Sequence, residues 1–83
     1  MHELAIIESV VDQVVERTVG RKVLAVTLRV GTESGVVADA LEFSFDVATL
    51  GSPLEGARLV IDHVPGPDLL LVSVELARET SCA

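Results

Sequence analysis

The sequence predicts a two-layer α/β (α+β) domain, in the order helix, strand, helix, strand, strand, with both helices on one face of a three-stranded sheet. Three observations carry this reading. Apolar residues recur at helical spacing after Glu3, period-two alternation appears from Lys22 and again in the last third, and glycine and proline punctuate the joins. At 83 residues the chain fits one domain, 1–83, with no internal repeat and no linker long enough to separate two units.

From Glu3 to Val19, Leu4, Ile7, Val10, Val11, Val14 and Val15 form an apolar stripe, and Glu8, Ser9, Asp12, Gln13, Glu16 and Arg17 take the other side. Valine is a weak helix former, so burial of this stripe must supply most of the stability, and Gly20 is placed to end the helix. Arg17, Arg21 and Lys22 suit the negative end of its dipole. From Lys22 to Val30 the period becomes two. Leu24, Val26, Leu28 and Val30 fall on one face of a strand, and Val23, Ala25, Thr27 and Arg29 on the other.

Gly31 breaks that strand, and the turn Thr32-Glu33-Ser34-Gly35 places Ser34 to cap a second helix over roughly Val36 to Leu50. Val36, Ala40, Phe43, Val47 and Leu50 are its expected core stripe; Gly51, Ser52 and Pro53 stop it. Two further strand-like runs, Ala57 to Val64 and Leu69 to Ala77, flank Pro65-Gly66-Pro67-Asp68 and suggest a hairpin. Leu70, Val72, Val74 and Leu76 would share one face and Leu59 with Ile61 another. Glu79 to Ala83 reads as a frayed tail. The outer sheet face is then expected to carry Val23, Ala25, Val60, Leu69 and Leu71, an apolar patch that a homodimer or a partner would cover.

Composition removes several functions. Six basic and thirteen acidic residues give a net charge of −7, a field that repels phosphate backbones and anionic membranes. Phe43 and Phe45 are the only aromatics, too few to stack single-stranded bases. Charges interrupt every apolar run well short of a membrane span of about 18 residues, so no membrane association is expected. The single cysteine, Cys82, closes no intramolecular disulfide, which fits a reducing, cytoplasmic setting.

Catalytic arrangements are missing: no Ser, Thr or Cys has an activating context, and the glycines match neither a dinucleotide fingerprint nor a phosphate loop. The chain is therefore read as non-enzymatic. His63, beside Asp62 at a strand end, reads as a surface residue, and Glu8, Asp12 and Glu16 form a solvated acidic ridge that could dock a basic partner. Met1, His2 and Glu3 differ, because they place a free amine, main-chain amides, an imidazole and a carboxylate within one short reach. Such nitrogen-rich, tetragonal donor sets favour Ni(II) or Cu(II). Protons compete with the metal for the amine and the imidazole, so binding should weaken in mild acid.

An ordered series of segments extends this beyond the first residues: Met1-His2-Glu3-Leu4, the strand ending in Val30-Gly31, Ala40-Leu41-Glu42-Phe43-Ser44-Phe45-Asp46, Gly51-Ser52-Pro53-Leu54-Glu55-Gly56-Ala57, Leu59-Val60-Ile61 to Pro65, and Leu70 to Leu76. In this the chain resembles the nickel-binding domain of the HypA family, metallochaperones that help insert nickel into [NiFe]-hydrogenase. The resemblance implies Ni(II) held by the Met1 amine and His2, with Glu3 as ligand or tuner. It also implies two partners, a GTP-hydrolysing maturation protein and the hydrogenase large subunit, and for some members urease.

HypA-like proteins carry a zinc domain with paired Cys-x-x-Cys motifs between the last two strands. Here the same place holds only Val64-Pro65-Gly66-Pro67-Asp68, so the zinc domain is absent between Pro65 and Pro67 and no Zn2+ site is expected. The expected function is that of a nickel-binding, metallochaperone-like protein for hydrogenase maturation. The alternative is an interaction or regulatory module that keeps the fold and has lost nickel delivery.

Overall fold

The computed structural model describes residues 2–78; Met1, expected as a metal donor, the tail from Glu79 and Cys82 lie outside the described residues. The elements are α1 (Glu3–Thr18), β1 (Val23–Gly31), α2 (Ala38–Ala48), β2 (Arg58–Val64) and β3 (Leu69–Leu76), in the predicted order. Both helices cover one face of the sheet, and α1 packs along α2. A cleft between α1 and β3 and another between α2 and β2 put α1 over the β3 side and α2 over the β2 side. No helix among the described residues is long and apolar enough to cross a membrane.

The sheet order corrects the hairpin. β1 is the central strand, parallel to β2 and antiparallel to β3, so β2 and β3 never pair. The link Pro65-Gly66-Pro67-Asp68 instead passes over the end of β1. It is fastened there by main-chain hydrogen bonds from Gly31 N to Asp68 O (2.7 Å) and Glu33 N to Gly66 O (2.9 Å), beside the bond from Thr32 N to Val64 O (2.8 Å) at the end of β2. Gly31 is required for this crossing, since a Cβ there would collide with the Gly66 carbonyl and lie 2.8 Å from the Asp68 nitrogen.

The strand faces also differ from strict alternation, for one physical reason applied twice. A register shift between Val23 and Ala25 leaves Leu24 as an extra residue, and another opposite Thr27 and Leu28 leaves Val72 as one. Each bulge restarts the period of two. The core face of β1 is therefore Val23, Val26, Leu28 and Val30, with Leu24 exposed; that of β3 is Leu69, Leu71, Val74 and Leu76, on the same side as Leu59 and Ile61 of β2. Of the outer-face set expected from sequence, Val23, Leu69 and Leu71 belong to the core. Leu24, Val60, Leu70 and Val72 are the exposed apolar residues of the sheet.

Helix α1 packs Ile7, Val11 and Val14 into the core with Ile6, Val10 and Val15 at its margin, but Leu4 is exposed. It ends at Thr18, one residue earlier than expected: Val19 itself takes a left-handed conformation (φ 54°), followed by Gly20 at φ 73°. Helix α2 turns the other way from the expectation. It spans Ala38–Ala48, shorter than the expected Val36 to Leu50, and its buried side is Leu41, Ser44 and Phe45, whereas Phe43 and Val47 face outward, as does Leu50 beyond its end. The helix offers two apolar stripes, and the acids settle which is buried. Phe43 lies four residues after Asp39 and three before Asp46, so it shares their solvated face.

Behind α2, the segment to β2 docks on the start of β1. Leu54 is fully buried, Val23 N donates to Pro53 O at 3.0 Å, and Lys22 Nζ donates to Glu55 O at 2.6 Å. The Glu55 carboxylate in turn accepts from Gly51 N at 2.7 Å. This bracing fixes the start of β1 against the segment that follows α2.

Candidate functional site

His2 and Glu3 stand at the head of α1. His2 is exposed and occupies the N-cap position, its carbonyl accepting from Ile6 N at 3.2 Å; its side chain makes no capping bond. The imidazole is thus free of the helix it precedes. The first amides of a helix have no intrahelical acceptor, so main-chain nitrogens at this end are not committed to the ladder.

Glu3 makes the long-range contact of the site. Its Oε2 accepts the Val37 N–H at 3.1 Å, and Val37 is the N-cap residue of α2. Ser34, expected to cap α2, instead accepts the Val36 N–H at 3.3 Å within the preceding turn, and no side chain of the N-cap residue closes the helix. The Glu3 carboxylate therefore lies in the first turn of α1 and at the entrance of α2, the positive end of both helix dipoles. The hydrogen bond from Val37, then that from its own amide, hold its carboxyl below the ordinary glutamate range.

An open cleft of about 530 Å³ lies beside these residues, lined by His2, Glu3, Leu4 and Glu8 of α1 and by Ala40 and Phe43 of α2. Leu4 and Phe43, both misplaced into the core by periodicity, are its apolar walls. Among the described residues, no three His, Cys, Asp or Glu side chains come together to hold an ion. Beside His2 stand its imidazole, main-chain nitrogens and the Glu3 carboxylate, and a nitrogen-rich set of this kind suits Ni(II) or Cu(II) better than zinc or calcium.

The other sequence candidates sit elsewhere. His63 is exposed at the end of β2, level with Val30, and Glu8, Asp12 and Glu16 are solvated along α1. Sequence reasoning missed the Glu3 to Val37 contact, which joins residues far apart in the chain and leaves no local pattern.

Comparison with known proteins gives this geometry its class: the family described as hydrogenase/urease nickel incorporation, metallochaperone, HypA matches residues 1–67. The chain belongs to the HypA family. It is 56% identical over 66 residues to the hydrogenase maturation factor HypA of Geobacter metallireducens, covering 80% of this chain and 60% of that protein. It is 54% identical over 68 residues to that of a Roseiflexus species, covering 78% and 55%. The matched region thus spans a little over half the length of these curated relatives. The fold is also that of the solution structure of the Ni metallochaperone HypA from Helicobacter pylori, with a TM-score of 0.70 at 14% identity over 95% of this chain and all of the other.

Proposed function

We propose that this chain is a non-enzymatic, cytoplasmic nickel-binding module that holds Ni(II) at its N-terminus for hydrogenase maturation. The observation that carries the reading is the family match from residue 1, with His2 exposed at the open head of α1 beside the Leu4 and Phe43 cleft. The nickel donors are the Met1 amine and the His2 imidazole with an adjoining main-chain nitrogen, and Glu3 lies next to them as ligand or tuner. Copper competes for such a set. The partners are a maturation GTPase and the hydrogenase large subunit.

We read 1–83 as one HypA-like nickel-binding domain, with the Pro65 to Asp68 link standing where the family's zinc domain is inserted. The two hydrogen bonds that fasten this link at the end of β1, from Gly31 N to Asp68 O and from Glu33 N to Gly66 O, support that reading, because they tie the connection to the end of the sheet.

Calorimetric titration with Ni(II) tests the assignment on the protein beginning at Met1, on a form extended by one residue before Met1, and on His2→Ala. The extension and the substitution should each abolish tight binding. Equal affinity in all three overturns the site.

A further inference from the structure

We infer that the Glu3 side chain is a positioning group, whose carboxylate fastens the head of α1 to α2 and so presents His2, and that this carboxylate is not a nickel donor. The inference rests on the proposed N-terminal nickel site and divides the labour within it.

Three features of the structure lead here. The carboxylate is already engaged, accepting the Val37 N–H at 3.1 Å. That bond is the side-chain contact made to the N-cap residue of α2, a helix whose own N-cap supplies none. Lastly, a cation beside the heads of two helices is disfavoured by both dipoles, and an anion fixed between them offsets this. A Glu3 that left Val37 to bind the metal would free the α2 entrance and withdraw the charge from both helix ends. Held in place, it performs both tasks while the metal is bound by nitrogen.

Orientation is the remaining requirement. His2 precedes the first helical residue, makes no capping bond and is exposed, so the direction of its ring depends on where α1 begins relative to α2. Across the cleft, the Glu3 to Val37 bond fixes that relation at the level of His2. Residues that orient metal ligands without binding the metal are a general feature of metal sites.

The test uses the whole chain with Glu3→Gln and Glu3→Ala. Glutamine keeps an oxygen acceptor for the Val37 N–H but is a poor nickel donor; alanine keeps neither. The Glu3→Gln protein should bind Ni(II) close to the parent affinity with an unchanged nickel X-ray absorption spectrum, whereas Glu3→Ala should lose about 10- to 100-fold. Hydrogen exchange at the Val37 amide should be slow in the parent with and without nickel, slow in Glu3→Gln, and fast in Glu3→Ala. If Glu3→Gln loses as much affinity as Glu3→Ala, changes the nickel spectrum, or if nickel itself releases the Val37 amide, Glu3 is a donor and the inference fails. It also fails if neither substitution changes affinity.

Val37 exchange in the metal-free proteins reads the tether without nickel. A parent chain that binds no nickel at its N-terminus refutes the site, and the positioning role with it, even where the tether is intact. Should Glu3→Ala not fold, the Glu3→Gln spectrum and the Val37 amide of the nickel-loaded parent decide between donor and tether.

Discussion

The Arg58 guanidinium on β2 reaches to 3.7 Å from the Glu75 carboxylate on β3, although these strands do not touch. β1 runs between them, and Ala25 is the residue with which both are in register. The two long side chains close over its methyl group, leaving Ala25 4% exposed on the outer face of the sheet. Strands two places apart are separated by roughly 9.6 Å, so only a pair of this reach, over a residue this small, can bridge them. The bridge itself is solvated and its energetic weight small. A double-mutant cycle on Arg58→Ala and Glu75→Ala should give a coupling below about 1 kcal/mol that fades with added salt. Denaturant unfolding at low and high ionic strength measures it.

Helix α2 distinguishes its two phenylalanines. Phe45 is 1% exposed and Phe43 71%. Phe45→Ala should cost about 3 to 5 kcal/mol, a large share of the stability of so small a domain, whereas Phe43→Ala should stay within about 0.5 kcal/mol. Urea unfolding followed by circular dichroism separates them, and the reverse ranking would place the other face of α2 in the core.

Gly31→Ala should destabilise the β2 to β3 crossing. The new methyl group meets the Gly66 carbonyl and the Asp68 amide, main-chain atoms with little freedom to move. The expected loss is about 1 to 3 kcal/mol or more. Faster amide exchange at Gly31 and Glu33, the two donors to the link, and at Thr32, which donates to the end of β2, would locate the damage.

Val19 is a β-branched residue held at φ 54°, and it is 87% exposed, so it gives up favourable backbone geometry for almost no burial. Replacing it by glycine removes a left-handed strain of about 1 to 2 kcal/mol and increases the freedom of the unfolded chain. A net gain of about 0.5 to 1 kcal/mol is expected, visible as a rise in Tm.

Acid should loosen the contact between α1 and α2. The folded-state value of Glu3 is lowered, so its ionised form favours the folded chain. That contribution is complete above the ordinary value of 4.5 and is lost as pH falls below it through the lowered value. In metal-free Glu3→Gln this part of the acid limb should disappear. A stability profile between pH 6 and pH 3 with the same slope in both proteins would contradict the assignment.

Much of the fold was legible because its elements differ in period. Ile7, Val11 and Val14 stand opposite Glu8, Asp12 and Glu16, so the buried side of α1 could be read directly. Both sides of α2 are apolar, and only the positions of Asp39 and Asp46 show that Phe43 faces water. The bulges at Leu24 and Val72 carry no residue signature, so strict alternation, right for Val26, Leu28 and Val30 and for Val74 and Leu76, assigns the wrong face to Val23 and Leu24 and to Leu69 through Val72.

The hairpin was misread because Pro65-Gly66-Pro67-Asp68 has the composition of a tight turn; what it spans depends on β1, more than thirty residues earlier in the chain. The donor chemistry of Met1-His2-Glu3 was visible in the residue types, and the family resemblance gave it weight. The Val37 partner of Glu3 was not, since a main-chain amide looks the same in every sequence.

A central β1 also governs when the sheet can form. Its partners are β2 and β3, so Leu28 waits for Ile61 on one side and Leu71 on the other. The two strands joined by the short link, β2 and β3, are not neighbours in the sheet, and among the described residues no strand pair could close first by a short loop. Pairings this distant make folding slow relative to helical domains of the same size. During synthesis both edges of β1 stay open until the last third of the chain has emerged, which makes Val23 to Gly31 the segment most in need of protection while the chain is being made.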